Sequence, residues 1–362
     1  MIDGIIVAGK YESIWFKSIA MPFFSLGRQC CVGVYLEISS KATYKSRTCY
    51  NLIMEETKTS NIKTKHDISE VEKFVITKLE GVGSISKLVE GHTSQAFSFM
   101  RKDGKKYVLR IAANQQGFLR DRYAHVHFAS KLLPIPKIIE IGDFKENSHY
   151  CLSEFVEGKP SDQLSQEEMN FSLENQLLTF AEIFKAPVND EIGWGEIDVE
   201  TGKAPFETWH EYIWAGVDDL DGSLLKAGLL ELGLDESLYD RFFNQFESCM
   251  GKLPSPEKRL VHGDLGFDNV LVNQGKVAAI IDWADIGYGD WVFDIARCDF
   301  WHPNKYGSIK DFGRKYNLDC EFLDERIKVC TSFVALTTLD YALQYESEST
   351  KSWLSKHLSS RL

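Results

Sequence analysis

Hydrophobic positions recur with two different periods along this chain, and the change between them falls near residue 160. Before that point the apolar runs are short and bounded by turn residues. "SKLVEGHTSQAFSFM" holds two such runs around Gly91, and "RKDGKKYVLRI" passes through Asp103-Gly104, a strong hairpin signal, into an apolar strand. "YCLSEFVEGKP" predicts a further strand that closes in Gly158 and Pro160. Two stretches read as helix instead. Ser69 ahead of "VEKFVITKL" predicts an N-cap and an amphipathic helix, and "GFLRDRYAHVHFASKLL" spaces Leu119, Tyr123, Val126 and Ala129 or Ser130 along one face. Pro134 and Pro136 stop that helix, and "KIIEIGDF" restarts as strand.

After Pro160 helical spacing takes over. "SLENQLLTFAEIF" puts Leu173, Leu177, Phe180, Ala181 and Phe184 on one face. "PFETWHEYIWAG", "ESLYDRFFNQFESCM" and "DERIKVCTSFVALTTLDYALQY" also predict helices. Two stretches break the pattern, "LVHGDLGFDNVLV" at residues 260–272 and "KVAAIIDWADIGYGD", where short apolar strands frame polar residues. No repeat with a period of about 20–50 residues is visible, which excludes a solenoid. The expected architecture is α+β and two-lobed: a small β-rich lobe over residues 66–157 and a larger, mainly helical lobe over 158–362.

The first 53 residues have a different character. They hold six Lys+Arg against three Asp+Glu, whereas the remainder has 35 against 50. They show no clear period, so residues 1–65 are expected to form a poorly ordered extension, with Met54 as an alternative start. "GIIVAGKY" at residues 4–11 matches a phosphate-loop pattern, but Tyr11 stands where a Ser or Thr should hold magnesium, and too little chain precedes it for a strand. Chance explains it better.

Charge and cysteine content narrow the function classes. A formal net charge of −12 argues against a reader of nucleic-acid backbones and suits a cationic partner. The eight cysteines contain no C-x-x-C pair, as expected of reduced, small hydrophobes in a reducing compartment. No apolar stretch approaches the roughly 18 residues of a membrane span, and Asp3, Lys10, Glu12 and Lys17 interrupt any secretory signal. The reading is a cytoplasmic monomer with no membrane or nucleic-acid partner.

The polar residues inside "LVHGDLGFDNVLV" carry the candidate chemistry. Asp264 precedes Asn269 by five residues, and Asp282 follows 13 residues later at the end of "VAAIID". One carboxylate and one amide make an oxygen set suited to magnesium, which takes few protein ligands plus substrate phosphates. The second carboxylate is left to accept a proton from an attacking hydroxyl. Kinase catalytic loops divide the labour in this way, with an Asp five residues before an Asn and a later Asp on metal. Singly, such residues are more often turn residues or core histidines. Their combination in order, behind a β-rich lobe, points to phosphoryl transfer.

"LVHGDLGFDNVLV…IIDWADIGYGDWVFDIA" resembles the aminoglycoside phosphotransferase family, whose fold is similar to that of protein kinases. The likeness is strongest to its hygromycin B phosphotransferase branch, in "EGHTSQAFSF", "YVLRI", "DRYAHVHFAS", "LPIP" and "TWHEYI", and it covers roughly residues 66 to 350. The resemblance implies ATP as donor, with GTP as an alternative, and Mg2+ as cofactor. It implies Asp264 as catalytic base, with His262 and Gly263 shaping its loop, and Asn269 and Asp282 holding magnesium. Asp294 would brace the loop through backbone hydrogen bonds. Ser94 and Gln95 would lie near the tip of a hairpin over the phosphates, and backbone groups of Glu154, Phe155 and Val156 would meet the adenine. Arg110 stands where kinases carry a phosphate-binding Lys, and Asp121 would be its acidic partner. Arg stays charged and grips phosphate through a planar fork, so the function survives with altered geometry.

For the acceptor, the resemblance implies Trp209, Glu211, Tyr212, Asp299, Trp301, Asp340 and Tyr341, with Asp299, Trp301 and Asp340 as the strongest candidates. A multi-amine sugar wants dispersed carboxylates and aromatic faces, while choline would want an aromatic cage. Both residue types are present, so a kinase for choline, a fructosamine or a macrolide is the alternative. A non-catalytic nucleotide-binding pseudokinase would lack a base or metal ligand, whereas Asp264, Asn269 and Asp282 are all present.

Overall fold

The computed structural model describes residues 65–88, 93–188, 190–231, 233–345, 354 and 356–361. They belong to one compact unit, Ser46–Leu362. The readings of residues 1–64, including the alternative start at Met54, lie outside the described residues.

The first described helix, α1 (Ile68–Lys78), corrects one expectation: its N-cap is Asp67, not Ser69. The Asp67 carboxylate accepts from the Ser69 amide at 2.8 Å and from its hydroxyl at 2.6 Å. An anionic acceptor also complements the positive end of the helix, so it takes the cap ahead of the hydroxyl. Five antiparallel strands follow in the order β1-β2-β3-β5-β4. They are β1 (Gly81–Lys87), β2 (Ser94–Arg101), β3 (Lys106–Ala112), β4 (Ile138–Lys145) and β5 (Ser148–Glu154), with α2 (Gln116–Phe128) between β3 and β4. The β2–β3 turn forms at Asp103-Gly104, where Gly104 takes φ +78°.

Strand alternation sorts this sheet into two faces. Phe97, Phe99, Leu109, Ile111 and Leu152 pack with Val71, Val75 and Leu79 in one core cluster. Each of these side chains, if fully buried, contributes about 1.5–3 kcal/mol. Arg110 alternates with Leu109 and Ile111, so its side chain emerges on the other face, where Ala112 and Cys151 pack with Phe118 of α2.

The remainder is mainly helical: α3 (Gln166–Phe184), α4 (Trp209–Asp218), α5 (Gly222–Glu231), α6 (Ser237–Met250), α7 (Trp291–Trp301), α8 (Ile309–Lys315) and α9 (Leu323–Tyr345). Capping boxes start α3, through Ser165 and Glu168, and α4, through Thr208 and Glu211. Glu211 is therefore spent on a helix end and Trp209 is a core residue, so neither is free for an acceptor. Among the described residues no helix is long and apolar enough to cross a membrane.

Six short strands are set among these helices: β6 (Lys159–Pro160), β7 (Gly195–Glu196), β8 (Arg259–Val261), β9 (Val270–Asn273), β10 (Lys276–Ile280) and β11 (Gly287–Gly289). The two apolar runs of "LVHGDLGFDNVLV" do not pair with each other. β8 pairs with β11, whereas β9 pairs with β10 and β6. The β9–β10 hairpin turns at Gln274 and Gly275, both with positive φ (50° and 76°), as its right-handed twist demands.

Candidate active site

Antiparallel pairing brings the polar residues together. Val270 pairs with Ile280, so Asn269 just before β9 and Ile281 just after β10 meet at the open end of the hairpin. The Ile281 amide donates to the Asn269 carbonyl at 2.9 Å, and Asp282 follows directly. Asp282 itself adopts φ +63°, a left-handed conformation rare outside glycine.

The loop between β8 and β9 is held by buried polar groups. In the first turn of α7, the Asp294 carboxylate accepts from the amides of His262 (2.7 Å) and Gly263 (3.0 Å). Gly263 has φ +86°, and a Cβ there would lie 2.1 Å from the Asp285 carbonyl oxygen, so only glycine fits. His262 is fully buried beside Trp283, with ring centroids 4.5 Å apart. Its Nε2 lies 3.0 Å from the Ile281 carbonyl, and its Nδ1 accepts from the Asp264 amide at 3.2 Å. One neutral tautomer satisfies both contacts, and burial lowers its pKa accordingly. His262 shapes the loop and has no nitrogen left for proton transfer.

The Asn269 amide donates to the Asp264 carbonyl at 2.9 Å, with the Asp264 Oδ2 further off at 3.4 Å. Its Oδ1 end is the one suited to a cation. Asp268 stays in the turn into β9 with its carboxyl folded over Gly266, where a Cβ would meet Oδ1 at 2.4 Å.

The sheet supplies the opposite wall. Arg110 pairs with Asp121 of α2 and lies 3.7 Å from Asp282 Oδ1. Asp121 also accepts from the Trp283 amide at 2.8 Å. Arg120, its neighbour, donates to the Ala284 carbonyl at 2.8 Å and pairs with Glu196 at 2.8 Å. Thus α2 grips the Asp282 segment at consecutive residues.

Charge density here perturbs titration. Burial, then Asp121, raises Asp282 to about 6 against the pull of Arg110. Burial raises Asp294 to about 7 although its two amide donors and Arg297 oppose the rise. For Arg110, burial acts downward, but Asp121 leads the carboxylates that raise its pKa overall.

Residues 84–310 match the phosphotransferase enzyme family. The chain belongs to that family. This phosphotransferase is 34% identical over 238 residues to hygromycin-B 4-O-kinase of Escherichia coli, a match covering 65% of this chain and 67% of that relative. A shorter match, 47% over 49 residues, covers 13% of this chain and 19% of an aminoglycoside 3'-phosphotransferase of Enterococcus faecalis. Among solved structures it is similar to aminoglycoside phosphotransferase APH(4)-Ia, with TM-score 0.68 and 27% identity over 82% of this chain and 98% of that one. A thermostable mutant of APH(4)-Ia in ternary complex with AMP-PNP and hygromycin B gives TM-score 0.65 at 27% identity, covering 81% and 97%. The two-lobed, kinase-like α+β fold expected from the sequence is the fold of this phosphotransferase.

Not every expected residue reaches the site. Gln95 is buried on the α1 side of the sheet, where its side chain accepts from the His66 amide at 2.7 Å. Ser94 pairs with Ala112 and Gln95 with Ile111, so alternation turns Gln95 away from the face that carries Arg110. The hairpin tip, residues 89–92, lies outside the described residues. At the strand end after β5, the Glu154 amide donates to Lys137 and the Phe155 amide to Lys106, at 3.1 and 3.4 Å. Among the described residues no such bond engages the Val156 amide.

The acceptor candidates are dispersed. Asp299 pairs with Arg361 and accepts from the Asn304 amide at 2.9 Å, so its charge is already matched. It lies two residues beyond Arg297, about 200° round the helix. Trp301 stacks on His357, with centroids 5.8 Å apart, and Asp340 lies half-buried in α9. None of the three contacts Asp264. Sequence reasoning also missed Arg297, whose Nη2 lies 2.5 Å from Asp264 Oδ1, and Arg120. The readable signal for Arg297 was an Asp-x-x-Arg pair in the largely apolar helix "WVFDIARCDFW".

Proposed function

We propose that this phosphotransferase moves the γ-phosphoryl group of ATP to a hydroxyl of an aminoglycoside of the hygromycin B type, inactivating it. The observation that carries the reading is the convergence of Asp264, Asn269 and Asp282 at the open end of the β9–β10 hairpin, facing Arg110. The names of its relatives support the acceptor class.

In this reading Asp264 orients the acceptor hydroxyl and takes its proton as the new O–P bond forms and the bond to the ADP oxygen breaks. The transition state is loose, so positioning and charge neutralisation supply most of the rate. Arg110, fixed by Asp121, meets the donor phosphates. The Val156 amide donates to the adenine. Asn269 and Asp282 fit magnesium, because they offer one amide oxygen and one carboxylate at the same end of the hairpin, the kind of oxygen set this ion takes beside substrate phosphates. Bound magnesium would neutralise phosphate charge. On the same reading the enzyme acts as a monomer in the cytoplasm, where ATP is at hand.

A coupled ADP-release assay against hygromycin B, other aminoglycosides and choline tests the reading. Selective turnover of hygromycin B is expected. Turnover of choline alone, or ATP binding without ADP release from any acceptor, overturns it.

A further inference from the structure

The geometry points to Arg297 as the positioning residue for the side chain of Asp264, a role that rests on the phosphoryl-transfer reading above. α7 meets the loop with two polar residues on one face. Asp294 and Arg297 are three residues apart in α7, so they stack one turn above the other. Asp294 holds the loop by its backbone, at the amides of His262 and Gly263. Arg297 holds it by its side chain, with Nη2 at 2.5 Å from Asp264 Oδ1.

The division between the two carboxylate oxygens matters for the chemistry. Oδ1 is anchored by Arg297. Oδ2 has only the Asn269 amide at 3.4 Å, and that amide makes its shorter bond, 2.9 Å, to the Asp264 backbone carbonyl. Among the described residues no other side chain donates to Asp264. Oδ2 is therefore the oxygen left to receive the acceptor proton, and Arg297 sets where it points. The Arg297 side chain is only 25% exposed, so its guanidinium sits in a fixed frame. Asp264, Asp285 and Asp294 all face it and keep it charged.

In a loose transition state the attacking oxygen loses its proton late, so orientation counts for more than basicity. Holding the carboxylate in one rotamer removes the search for it, and a misplacement of about 1 Å at a reacting group costs on the order of 10²-fold in rate.

The test uses the full chain with Mg-ATP and hygromycin B. Arg297→Ala is expected to lower kcat by about 10²-fold and to lower the melting temperature, because it leaves three carboxylates without their cation, while KM for both substrates stays close to wild type. Arg297→Lys should recover part of the loss, because the contact runs through one nitrogen, and added guanidinium should partly restore the alanine variant. If the alanine variant does not fold, Arg297→Gln keeps the stem and takes its place. Unchanged kcat, or an equal loss in the lysine variant without guanidinium rescue, overturns the role. A crystal structure of the variant decides separately from the acceptor: Asp264 should leave its rotamer, and an unmoved carboxylate overturns the proposal. Absence of hygromycin B turnover in the wild type would sink only the acceptor reading.

Discussion

The carboxylate of Asp121 accepts a hydrogen bond from the Trp283 amide at 2.8 Å while pairing with Arg110. One buried side chain thus joins β3, α2 and the segment carrying Asp282. Trp283 fills the core beneath, with its indole N–H donating to the Ile280 carbonyl at 3.0 Å.

Removing Asp121 should therefore damage both binding and folding. Asp121→Ala leaves Arg110, itself largely buried, without its main partner, and removing one member of a buried pair costs about 3–5 kcal/mol. Urea unfolding should report that loss, and KM for ATP should rise with it. A variant as stable as wild type, with unchanged KM, would show that Arg110 needs no partner.

Asp264→Asn tests the base directly. It keeps the shape of the loop, so nucleotide binding by calorimetry should be nearly intact. Turnover should fall by about 10²–10⁴-fold, the usual contribution of general-base catalysis. Survival of turnover would remove Asp264 from the chemistry.

Asp294 predicts opposite responses of stability and activity to pH. Its carboxyl is held at about 7 in the folded chain, above the 3.8 of an unperturbed Asp, so the native state binds the extra proton between those values. A raised folded pKa stabilises most fully below the unfolded value, and that stability is lost as pH rises through about 7. The ionised form, however, is the one that accepts both loop amides. Between pH 8 and pH 5 the Asp294 contribution to stability should grow while turnover falls. Melting curves of wild type and Asp294→Asn across that range separate the two. A difference between them that does not vary with pH would rule this linkage out.

Arg326 anchors the start of α7 without touching the chemistry. Its guanidinium donates to both oxygens of the buried Asp290, at 2.6 and 2.8 Å, and Asp290 caps the helix through the Val292 amide at 3.0 Å. Arg326→Ala strands a buried carboxylate and should cost about 3–5 kcal/mol, read by urea denaturation. KM for ATP in the folded fraction should stay at the wild-type value.

Much of the site was legible because its chemistry lies close along the chain. The spacing of Asp264, Asn269 and Asp282 tracks the two ends of one hairpin, and local pairing brings them together with little help from distant residues. Arg110 was legible for a similar reason, as a lone cation inside an apolar strand. Gln95 was not, because its face depends on the register of β2 against β3, and a shift of one residue would have reversed it. Asp299 misled because its charge is matched by Arg361, 62 residues away. Ser69 lost its cap to Asp67 for a local reason, the stronger acceptor lying two residues earlier.

By itself the sequence determined the periods, the turns and the motif, and through them the two-lobed architecture and the phosphoryl-transfer chemistry. These are local matters, decided by neighbours within one helix turn or one hairpin. The tertiary structure alone decided which charges meet across the fold: Arg297 on Asp264, Asp121 on Trp283, and Arg120 on Ala284 and Glu196. Such contacts join segments up to 164 residues apart, as between Arg120 and Ala284, and only the packing of α2 and α7 against the loops brings them into reach.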